Sequence, residues 1–196
     1  MTTSSHELHE LWLVRHGETA WSMNGQHTSV TDLELTANGE AVAEGLAAPL
    51  SRVDFAQVLT SPRRRARRTA ELAGFASAQP DEDLAEWAYG EYEGMTTPEI
   101  QESVPGWSVW THDSPGGESA AEVAARLDRV VQRARAVDGR TLVFGHGHSL
   151  RVLAARWLGL EVAGGRMFDL DTATISVLGD DRGTPVVRRW NVSAQQ

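Results

Sequence analysis

The chain has 196 residues, enough for one domain with a sizeable core. Its formal net charge of −9 disfavours binding to nucleic acid or to an anionic membrane. It contains no cysteine, and all 18 of its basic residues are arginine. These absences exclude disulfides, thiolate metal sites, a cysteine nucleophile and lysine-dependent chemistry. A bound anion would therefore have to be held by arginine, histidine or backbone N–H groups.

Residues 1–10 lack the basic and apolar regions of a secretory signal peptide, and no apolar run approaches the roughly 20 residues that span a bilayer. We therefore expect a cytoplasmic protein. No linker or repeat divides the sequence, so we expect residues 1–196 to form a single domain. The seven tryptophans leave a homodimer open, because tryptophan serves cores, pockets and interfaces alike.

Strand and helix signals alternate along the chain. They predict a strand at 11–14, a helix at 35–50, a strand at 55–61, a helix opened by Ser61-Pro62, an irregular stretch with short helices at 75–117, a helix at 117–137, a strand at 141–145, a helix at 147–159, and two strands at 173–179 and 184–192 joined by a turn at 180–183. Thr36 and Ser61 are the predicted N-caps of the first two helices.

This alternation predicts an α/β fold of three layers, with helices on both faces of a mainly parallel sheet. Such sheets bind ligands beyond the carboxyl ends of their strands. Three polar blocks follow predicted strands and should meet at that edge: Arg15-His16-Gly17, the residues 61–65, and His146-Gly147-His148. Taken alone, the first block could equally be a histidine held in a turn by local hydrogen bonds.

The second block continues into five arginines within residues 63–68. Such a run is more often a solvated helix face than a nucleic-acid patch, and the acidic chain argues against the patch. Arg65 shares a helix face with Thr69 and Leu72, so it points inward if they do. An inward arginine near a helix N-terminus is costly unless it holds an anion.

Two further features have alternative interpretations. His146 and His148 could be a metal pair, but the chain offers no further ligands at a suitable spacing, and the flanking glycines favour an anion site at a helix N-terminus. Glu86 lies in EWAYGEYEG, among aromatic residues, where a carboxyl can serve as a proton donor. By itself it would more often be a surface glutamate.

Together these blocks resemble the histidine phosphatase superfamily, also called phosphoglycerate-mutase-like. The resemblance covers about residues 11–177 and includes RHGET, the stretch from Trp21 to Gly39, SPRRRARRTA, EWAYGEYEG, the PGGES at 115–119, and GHGHSLR. Within the superfamily the motifs are similar to those of actinobacterial acid phosphatases and of sedoheptulose-bisphosphatase-type sugar phosphatases. The resemblance implies the phosphoglycerate-mutase-like fold and no cofactor or metal.

The resemblance also implies roles for individual residues. His16 matches the nucleophile, and Glu86 matches the proton donor. The other members of the implied phosphate pocket are Arg15, Arg65 and His146. The residues implied or expected near the rest of the substrate are Ser22, His27, Thr28, Ser29, Trp87, Tyr89, Gly147, His148 and Arg151. Ser22 stands where many relatives have asparagine, and His148 where mutases often have asparagine, which leaves the substrate open.

We therefore expect a metal-independent phosphomonoesterase that hydrolyses small phosphate esters through a phosphohistidine, with no nucleic-acid or membrane partner. Only residues 95–116 separate the glutamate block from GES, which leaves no room for the long insertion of cofactor-dependent mutases. A bisphosphatase of narrow specificity and a phosphoglycerate mutase are the enzymatic alternatives. An anion-binding regulatory domain is the alternative that is not an enzyme.

Overall fold

The computed structural model describes residues 9–194. The strands are β1 (His9–Arg15), β2 (Gln57–Thr60), β3 (Gln79–Pro80), β4 (Gly139–Gly145), β5 (Thr174–Asp181) and β6 (Thr184–Ser193). The α-helices are α1 (Ala20–Asn24), α2 (Ala37–Gly45), α3 (Ala47–Leu50), α4 (Arg64–Leu72), α5 (Thr97–Ser103), α6 (Ala120–Ala136) and α7 (Gly147–Trp157). The sequence expectations for residues 1–8, and for the last two residues of the expected domain, lie outside the described residues.

The strands form one sheet in the order β3-β2-β4-β1-β5-β6. β3, β2, β4 and β1 are parallel, whereas β5 runs antiparallel to β1 and β6 antiparallel to β5. The expected α/β architecture with a mainly parallel sheet is confirmed, with an antiparallel hairpin added at one side. Within residues 9–194 no helix has the length and apolar character that crossing a membrane requires.

The side chains of neighbouring strand residues enter two separate cores. Leu13 of β1 and Val143 of β4 belong to one core, which also holds Leu127 of α6, and the next residues along, Val14 and Phe144, belong to the other. This follows from the two-residue period of a strand, which sends successive side chains to opposite faces. Helices therefore cover both faces of the sheet, as the three-layer prediction requires.

The predicted helix over 35–50 is wrong in its extent. Thr36 caps it as expected and accepts a hydrogen bond from Gly39 N at 2.9 Å, but α2 ends at Gly45 and the chain continues in the one-turn helix α3. Pro49 provides the physical reason. It has no N–H to donate to the carbonyl four residues earlier, that of Gly45, so the helix cannot continue without interruption.

The predicted N-cap Ser61 is also wrong, because Arg63 is the N-cap and α4 begins at Arg64. The Ser61 hydroxyl bonds instead to His146 Nε2 at 2.7 Å. The free N–H of Arg64 donates to the carboxylate of Asp32 at 2.8 Å, so a distant loop supplies the cap. Tertiary partners therefore bind both groups, and the Ser61 hydroxyl keeps only a long local hydrogen bond, accepted from Arg63 N at 3.4 Å.

The remaining predictions hold with shifted boundaries. The irregular stretch over 75–117 contains the expected short helices, namely α5 and three-residue 3-10 helices. The sequence did not indicate the two-residue strand β3 in this stretch, nor the helix α1 nearer the N-terminus. In α6 the predicted apolar face is buried, and Ser119 caps the helix. The last turn is shorter than expected: Arg182 and Gly183 alone connect β5 to β6, both with positive φ, 52° and 82°.

Candidate active site

The three polar blocks meet where parallel strands end, as expected. The backbone N–H of His16, after β1, donates to Gly145 O at 2.9 Å. The N–H of Ser61, after β2, donates to Phe144 O at 2.8 Å. The strand β4 between them thus fixes both neighbouring blocks against its own end, where His146 follows.

His16 is held as a neutral imidazole with a defined tautomer. Its Nδ1 lies 2.7 Å from the carbonyl oxygen of Gly17. A carbonyl can only accept, so Nδ1 carries the proton and Nε2 keeps its lone pair. Burial, reinforced by the positive charges of Arg65 and Arg15, holds the pKa of His16 well below its usual value. His16 therefore has the protonation state of a nucleophile.

The backbone around His16 is packed too closely for any side chain at Gly17. A Cβ there would stand 2.6 Å from Gly39 O, and one at Gly39 would stand 2.3 Å from Glu18 O. The N–H of Gly17 donates to Thr69 Oγ1 at 2.9 Å, so α4 also anchors this turn. Thr69 is fully buried, as its place on the predicted inward face requires.

Arg15 lines the site with hydrogen-bonding capacity unused. Its Nη1 donates to Leu170 O at 2.5 Å, whereas its buried Nε has no partner within the described residues. Burial lowers the pKa of Arg15, but a guanidinium stays protonated in proteins. A buried cation with an unpaired N–H donor is suited to an anion.

Arg65 is fully buried, and the protein itself supplies its partners. Nη1 donates to Thr31 O at 2.9 Å, and Nη2 to Thr28 O at 3.1 Å and Ser29 O at 3.3 Å. Its Nε donates to His146 Nδ1 at 3.1 Å. The prediction that Arg65 points inward is confirmed. The inference that only an anion could offset its burial is wrong, because backbone carbonyls of residues 28–31 do so.

His146 lies directly behind His16, with ring centroids 5.2 Å apart. Because its Nδ1 accepts from Arg65, its Nε2 carries the proton and donates to Ser61 Oγ at 2.7 Å. Burial, together with the charge of Arg65, holds the pKa of His146 well below its usual value. His146 is thus a neutral, fully buried residue that bonds to Arg65 and packs against His16.

Glu86 is buried against the first turn of α7. Its carboxylate accepts backbone hydrogen bonds from Trp87 N at 2.9 Å, Ser149 N at 2.7 Å and His148 N at 3.0 Å. A helix N-terminus presents unpaired N–H groups, and those of α7 hold the carboxyl group of Glu86 in place. Glu86 is not the surface glutamate that its local sequence alone would favour.

A cavity of about 270 Å³ opens above these groups. Its lining includes three of the five implied catalytic residues, namely Arg15, His16 and Glu86. It also includes seven of the nine other predicted residues and six residues that were not predicted. In chain order the lining residues are Arg15, His16, Thr19, Ser22, Gly25, Gln26, His27, Thr28, Glu86, Tyr89, Thr97, Gly147, His148, Arg151, Asp169 and Leu170. Arg65 and His146 lie beneath this surface.

Two of the predicted substrate residues do not reach the cavity. Ser29 faces away from it, and its backbone N–H and hydroxyl both bond to the carboxylate of Glu93. The indole N–H of Trp87 donates to Glu118 O at 2.9 Å, and its ring packs against Trp110. Both residues therefore support the wall from behind.

Two carboxylates behind the site, those of Glu93 and Glu118, hold neighbouring segments together and were not predicted. The Glu93 carboxylate binds residues 29–31, the loop whose carbonyls hold Arg65. The Glu118 carboxylate pairs with Arg126 at 2.7 Å and accepts from Ala88 N at 2.9 Å. Glu93 and Glu118 stand in the EYEG and PGGES motifs, so the signal was present. Their partners Ser29, Thr31 and Ala88, however, lie 30 to 64 residues away in sequence.

The arginine run of residues 63–68 is mostly a helix face with its own ion pairs. Arg64 pairs with Glu34 at 2.5 Å, and Arg68 pairs with Glu40 at 2.8 Å and Glu71 at 3.0 Å.

Across residues 9–194, no group of three or more histidine, aspartate or glutamate side chains is placed to hold a metal ion.

Comparison with known proteins decides the family. The family model described as "Histidine phosphatase superfamily (branch 1)" matches residues 11–193. The chain belongs to that superfamily. It is 45% identical over 179 residues to an acid phosphatase of Mycobacterium tuberculosis, covering 89% of this chain and 88% of that one. It is 36% identical to sedoheptulose 1,7-bisphosphatase of Saccharomyces cerevisiae, covering 76% and 68%.

Solved structures agree with this assignment. An open-reading-frame product of Mycobacterium tuberculosis superimposes with a TM-score of 0.91 at 42% identity, covering 95% of this chain and 98% of that one. A mycobacterial glucosyl-3-phosphoglycerate phosphatase superimposes with a TM-score of 0.84 at 27% identity, covering 94% and 100%. This histidine phosphatase is thus a phosphoric monoester hydrolase with the phosphoglycerate-mutase-like fold.

Proposed function

We propose that the protein hydrolyses small phosphorylated metabolites without a metal ion, through a phosphohistidine formed on His16. The observation that carries this proposal is the tautomer of His16. Its Nδ1–H is committed to Gly17 O, so the Nε2 lone pair is available beside the cavity that Arg15 lines. A neutral imidazole avoids the repulsion that an anionic nucleophile meets at a dianionic phosphate.

In the first step, Nε2 of His16 attacks phosphorus, and the bond from phosphorus to the ester oxygen breaks. Glu86, which lines the same cavity, gives its proton to the departing oxygen. Arg15, whose guanidinium group lines the cavity, donates hydrogen bonds to the phosphoryl oxygens as negative charge shifts onto them. In this proposal Arg15 supplies, with the support of the buried Arg65, the neutralising charge that other phosphatases take from metal ions.

In the second step, water attacks the phosphorus of phospho-His16. The Glu86 carboxylate takes a proton from that water, and the bond from phosphorus to Nε2 breaks to release inorganic phosphate. Hydrolysis rather than transfer is supported by the segment over 95–116, whose Ile100, Trp107 and Val109 are buried in the core. That segment is packed into the domain, and among its residues Thr97 lines the cavity.

The test is hydrolysis of p-nitrophenyl phosphate in excess EDTA, with wild type, His16→Ala and the matched control His112→Ala. His112 is exposed and is not part of the cavity lining. Wild type and control should turn over equally with and without EDTA, and His16→Ala should be inactive. Quenching during turnover with denaturant at alkaline pH should leave acid-labile phosphate on wild type and on His112→Ala, but not on His16→Ala. Substantial activity in His16→Ala, or a requirement for added Mg²⁺ or Zn²⁺, would overturn the proposal.

The proposed partner is a small phosphate ester, not nucleic acid or membrane. The names of the relatives support this class, since they include an acid phosphatase, a sugar bisphosphatase and a glucosyl-3-phosphoglycerate phosphatase. The cavity volume of about 270 Å³ suits a metabolite better than a phosphoprotein segment. The cytoplasmic location and the homodimer stay predictions from the sequence.

A further inference from the structure

The hairpin of β5 and β6 contains a β-bulge that the proposed chemistry does not use. Ser176 of β5 lies opposite two residues of β6, Trp190 and Asn191. The regular pairs on either side are Ile175 with Val192 and Val177 with Arg189. Asn191 has a φ of 55°, in the left-handed region that asparagine adopts more readily than most residues, and its N–H donates to Ser176 Oγ at 2.9 Å. A bulge of this kind redirects side chains out of the regular alternation of a strand.

The redirected side chains bind the loop formed by residues 168–173, which leads into β5. The indole N–H of Trp190 donates to the carbonyl of Asp169. Asn191 binds Asp171 twice: its Oδ1 accepts from the backbone N–H at 2.8 Å, and its Nδ2 donates to the carboxylate at 2.8 Å. This orientation of the amide is fixed, because a backbone N–H can only donate and a carboxylate can only accept. The bulge thus holds the loop at residues 169 and 171.

The residue between these two anchors holds Arg15. The carbonyl of Leu170 accepts from Arg15 Nη1 at 2.5 Å. In the same loop, the N–H of Ala173 donates to Arg15 O at 3.0 Å and to His16 O at 3.2 Å. The loop therefore contacts both the side chain and the backbone of the arginine that lines the cavity, and also the backbone of the proposed nucleophile.

Arg15 depends on this loop more than Arg65 depends on any one partner. Arg65 is held by three backbone carbonyls and by His146. Within residues 9–194, the guanidinium of Arg15 is held by the Leu170 carbonyl, and its Nε has no partner. A shift of the 168–173 loop would therefore move this guanidinium. Asp171 is exposed and belongs to neither core, so its pair with Asn191 acts on the position of the loop rather than on core packing.

We propose that Trp190 and Asn191 are positioning residues for Arg15. The bulge fixes the 168–173 loop, and the Leu170 carbonyl of that loop sets the guanidinium at the distance and angle that the phosphoryl group requires. Neither bulge residue lines the cavity, so both act through Arg15 and not on the substrate. A strained backbone conformation retained beside a catalytic group is consistent with this role. The inference rests on the proposed function, in which Arg15 binds the phosphoryl oxygens.

The first test removes the pair of Asn191 with Asp171 and then restores it. Asn191→Gly removes the side chain without a change in charge, and glycine adopts the positive φ freely. We expect kcat/KM on p-nitrophenyl phosphate to fall about tenfold, the scale of a small displacement of a catalytic group. Asn191→Asp opposes two carboxylates and should lose as much. The double variant Asp171→Asn/Asn191→Asp exchanges the two groups, which restores both hydrogen bonds, and should return kcat/KM to within about twofold of wild type.

The second test shows whether these losses pass through Arg15. In an Arg15→Ala background, Asn191→Gly should change kcat/KM by no more than about twofold, because the group that it displaces is already absent. With Arg15 present, Asn191→Gly should raise the inhibition constant of inorganic phosphate about fivefold, since a displaced guanidinium binds the anion less well. Arg15→Ala should remove that difference. A general loss of structure would lower activity equally in both backgrounds.

A third variant and a control complete the design. Trp190→Phe keeps an aromatic ring against Phe168 but loses the indole N–H, and should lower kcat/KM about threefold. Asn38→Asp is the matched control for Asn191→Asp, because Asn38 is exposed and lies outside the cavity lining, and it should keep wild-type values. Trp190→Phe and the exchanged pair remain informative if Asn191→Gly does not fold.

The two proposals fail separately. If wild type does not hydrolyse p-nitrophenyl phosphate in EDTA, the proposed function fails, and the dissociation constant of inorganic phosphate, measured by calorimetry on the same variants, tests the positioning of Arg15 alone. If wild type is active, three results would refute the positioning role while the phosphatase stands. These are wild-type kinetics in Asn191→Gly, no recovery in a folded exchanged pair, and equal losses with and without Arg15.

Discussion

The backbone N–H of Ser149 donates a 2.7 Å hydrogen bond to the carboxylate of Glu86, although 63 residues separate them. Ser149 lies in the first turn of α7, three residues after the N-cap His146. The end of β4 and the start of α7 therefore position both the proposed proton donor and the histidine behind the nucleophile. A displacement of this turn would disturb both groups at once.

Glu86→Gln should slow hydrolysis most for poor leaving groups. An amide has no proton to give to a departing alkoxide, whereas p-nitrophenolate leaves without one. We expect a loss of about 100-fold or more in kcat on an alkyl phosphate and only about tenfold on p-nitrophenyl phosphate. Steady-state kinetics on a series of leaving groups measures this, with the exposed Glu82→Gln as the control. Equal losses on both substrates would assign the proton to another group.

Glu93→Gln should lower kcat/KM although Glu93 does not line the cavity. Burial raises the pKa of Glu93, but hydrogen bonds from Ser29 and Thr31 outweigh it and lower the pKa overall, so the carboxylate form is the one that binds the loop. An amide cannot accept from all of these donors. Because the carbonyls of that loop hold Arg65, we expect kcat/KM to fall about tenfold.

The matched control for this prediction is Glu91→Gln, an exposed residue two positions away. Glu93→Asp, which keeps the charge on a shorter side chain, should recover part of the activity. The pH profile distinguishes a positioning role from loss of folding, because wild type should lose kcat/KM as acid protonates Glu93 and Glu93→Gln should lack that step. Identical profiles would remove Glu93 from the positioning of Arg65.

Arg126→Leu should destabilise the domain and lower activity. Arg126 is 8% exposed, pairs with Glu118 at 2.7 Å and donates to the carbonyls of Asp83 and Ala85 at 2.8 Å. Removing one partner of a buried pair leaves the other charge uncompensated, which costs about 3 kcal/mol. Urea unfolding measures the loss. The exposed Arg67→Leu should change stability by no more than about 0.5 kcal/mol.

The sequence predicts this site well where the signal is local and poorly where it is tertiary. His16 and His146 follow apolar strands directly, so sheet geometry alone brings them to one edge. Ser61 was assigned to a helix cap because local patterns could not show that His146 competes for its hydroxyl. Glu93 and Arg126 look like solvated charges in sequence, since most of their partners are 41 to 64 residues away. Glu118, eight residues from Arg126, is the exception.

Four histidines of the site, His16, His27, His146 and His148, share one electrostatic property. Burial is the largest cause in each case, and it lowers the pKa of every one below the usual 6.5, in His27 to about 4. The folded state therefore keeps these rings neutral at pH values where the unfolded chain would protonate them. For His16 the consequence is catalytic, since the acid limb of kcat/KM that reflects its protonation should lie well below pH 6.5.

The same property makes the fold sensitive to acid. A histidine whose folded pKa is depressed contributes its full stability above the unfolded pKa of about 6.5 and loses it as the pH falls towards the folded pKa. For His27 this amounts to about 3 kcal/mol between pH 6.5 and 4, or about 1.4 kcal/mol for each pH unit. Urea unfolding at pH 7, 6 and 5 should show stability falling with acid, and His27→Gln should reduce that slope by about one proton. The exposed His112→Gln is the control, and a slope unchanged by His27→Gln would show that His27 already binds its proton in the folded state over this range.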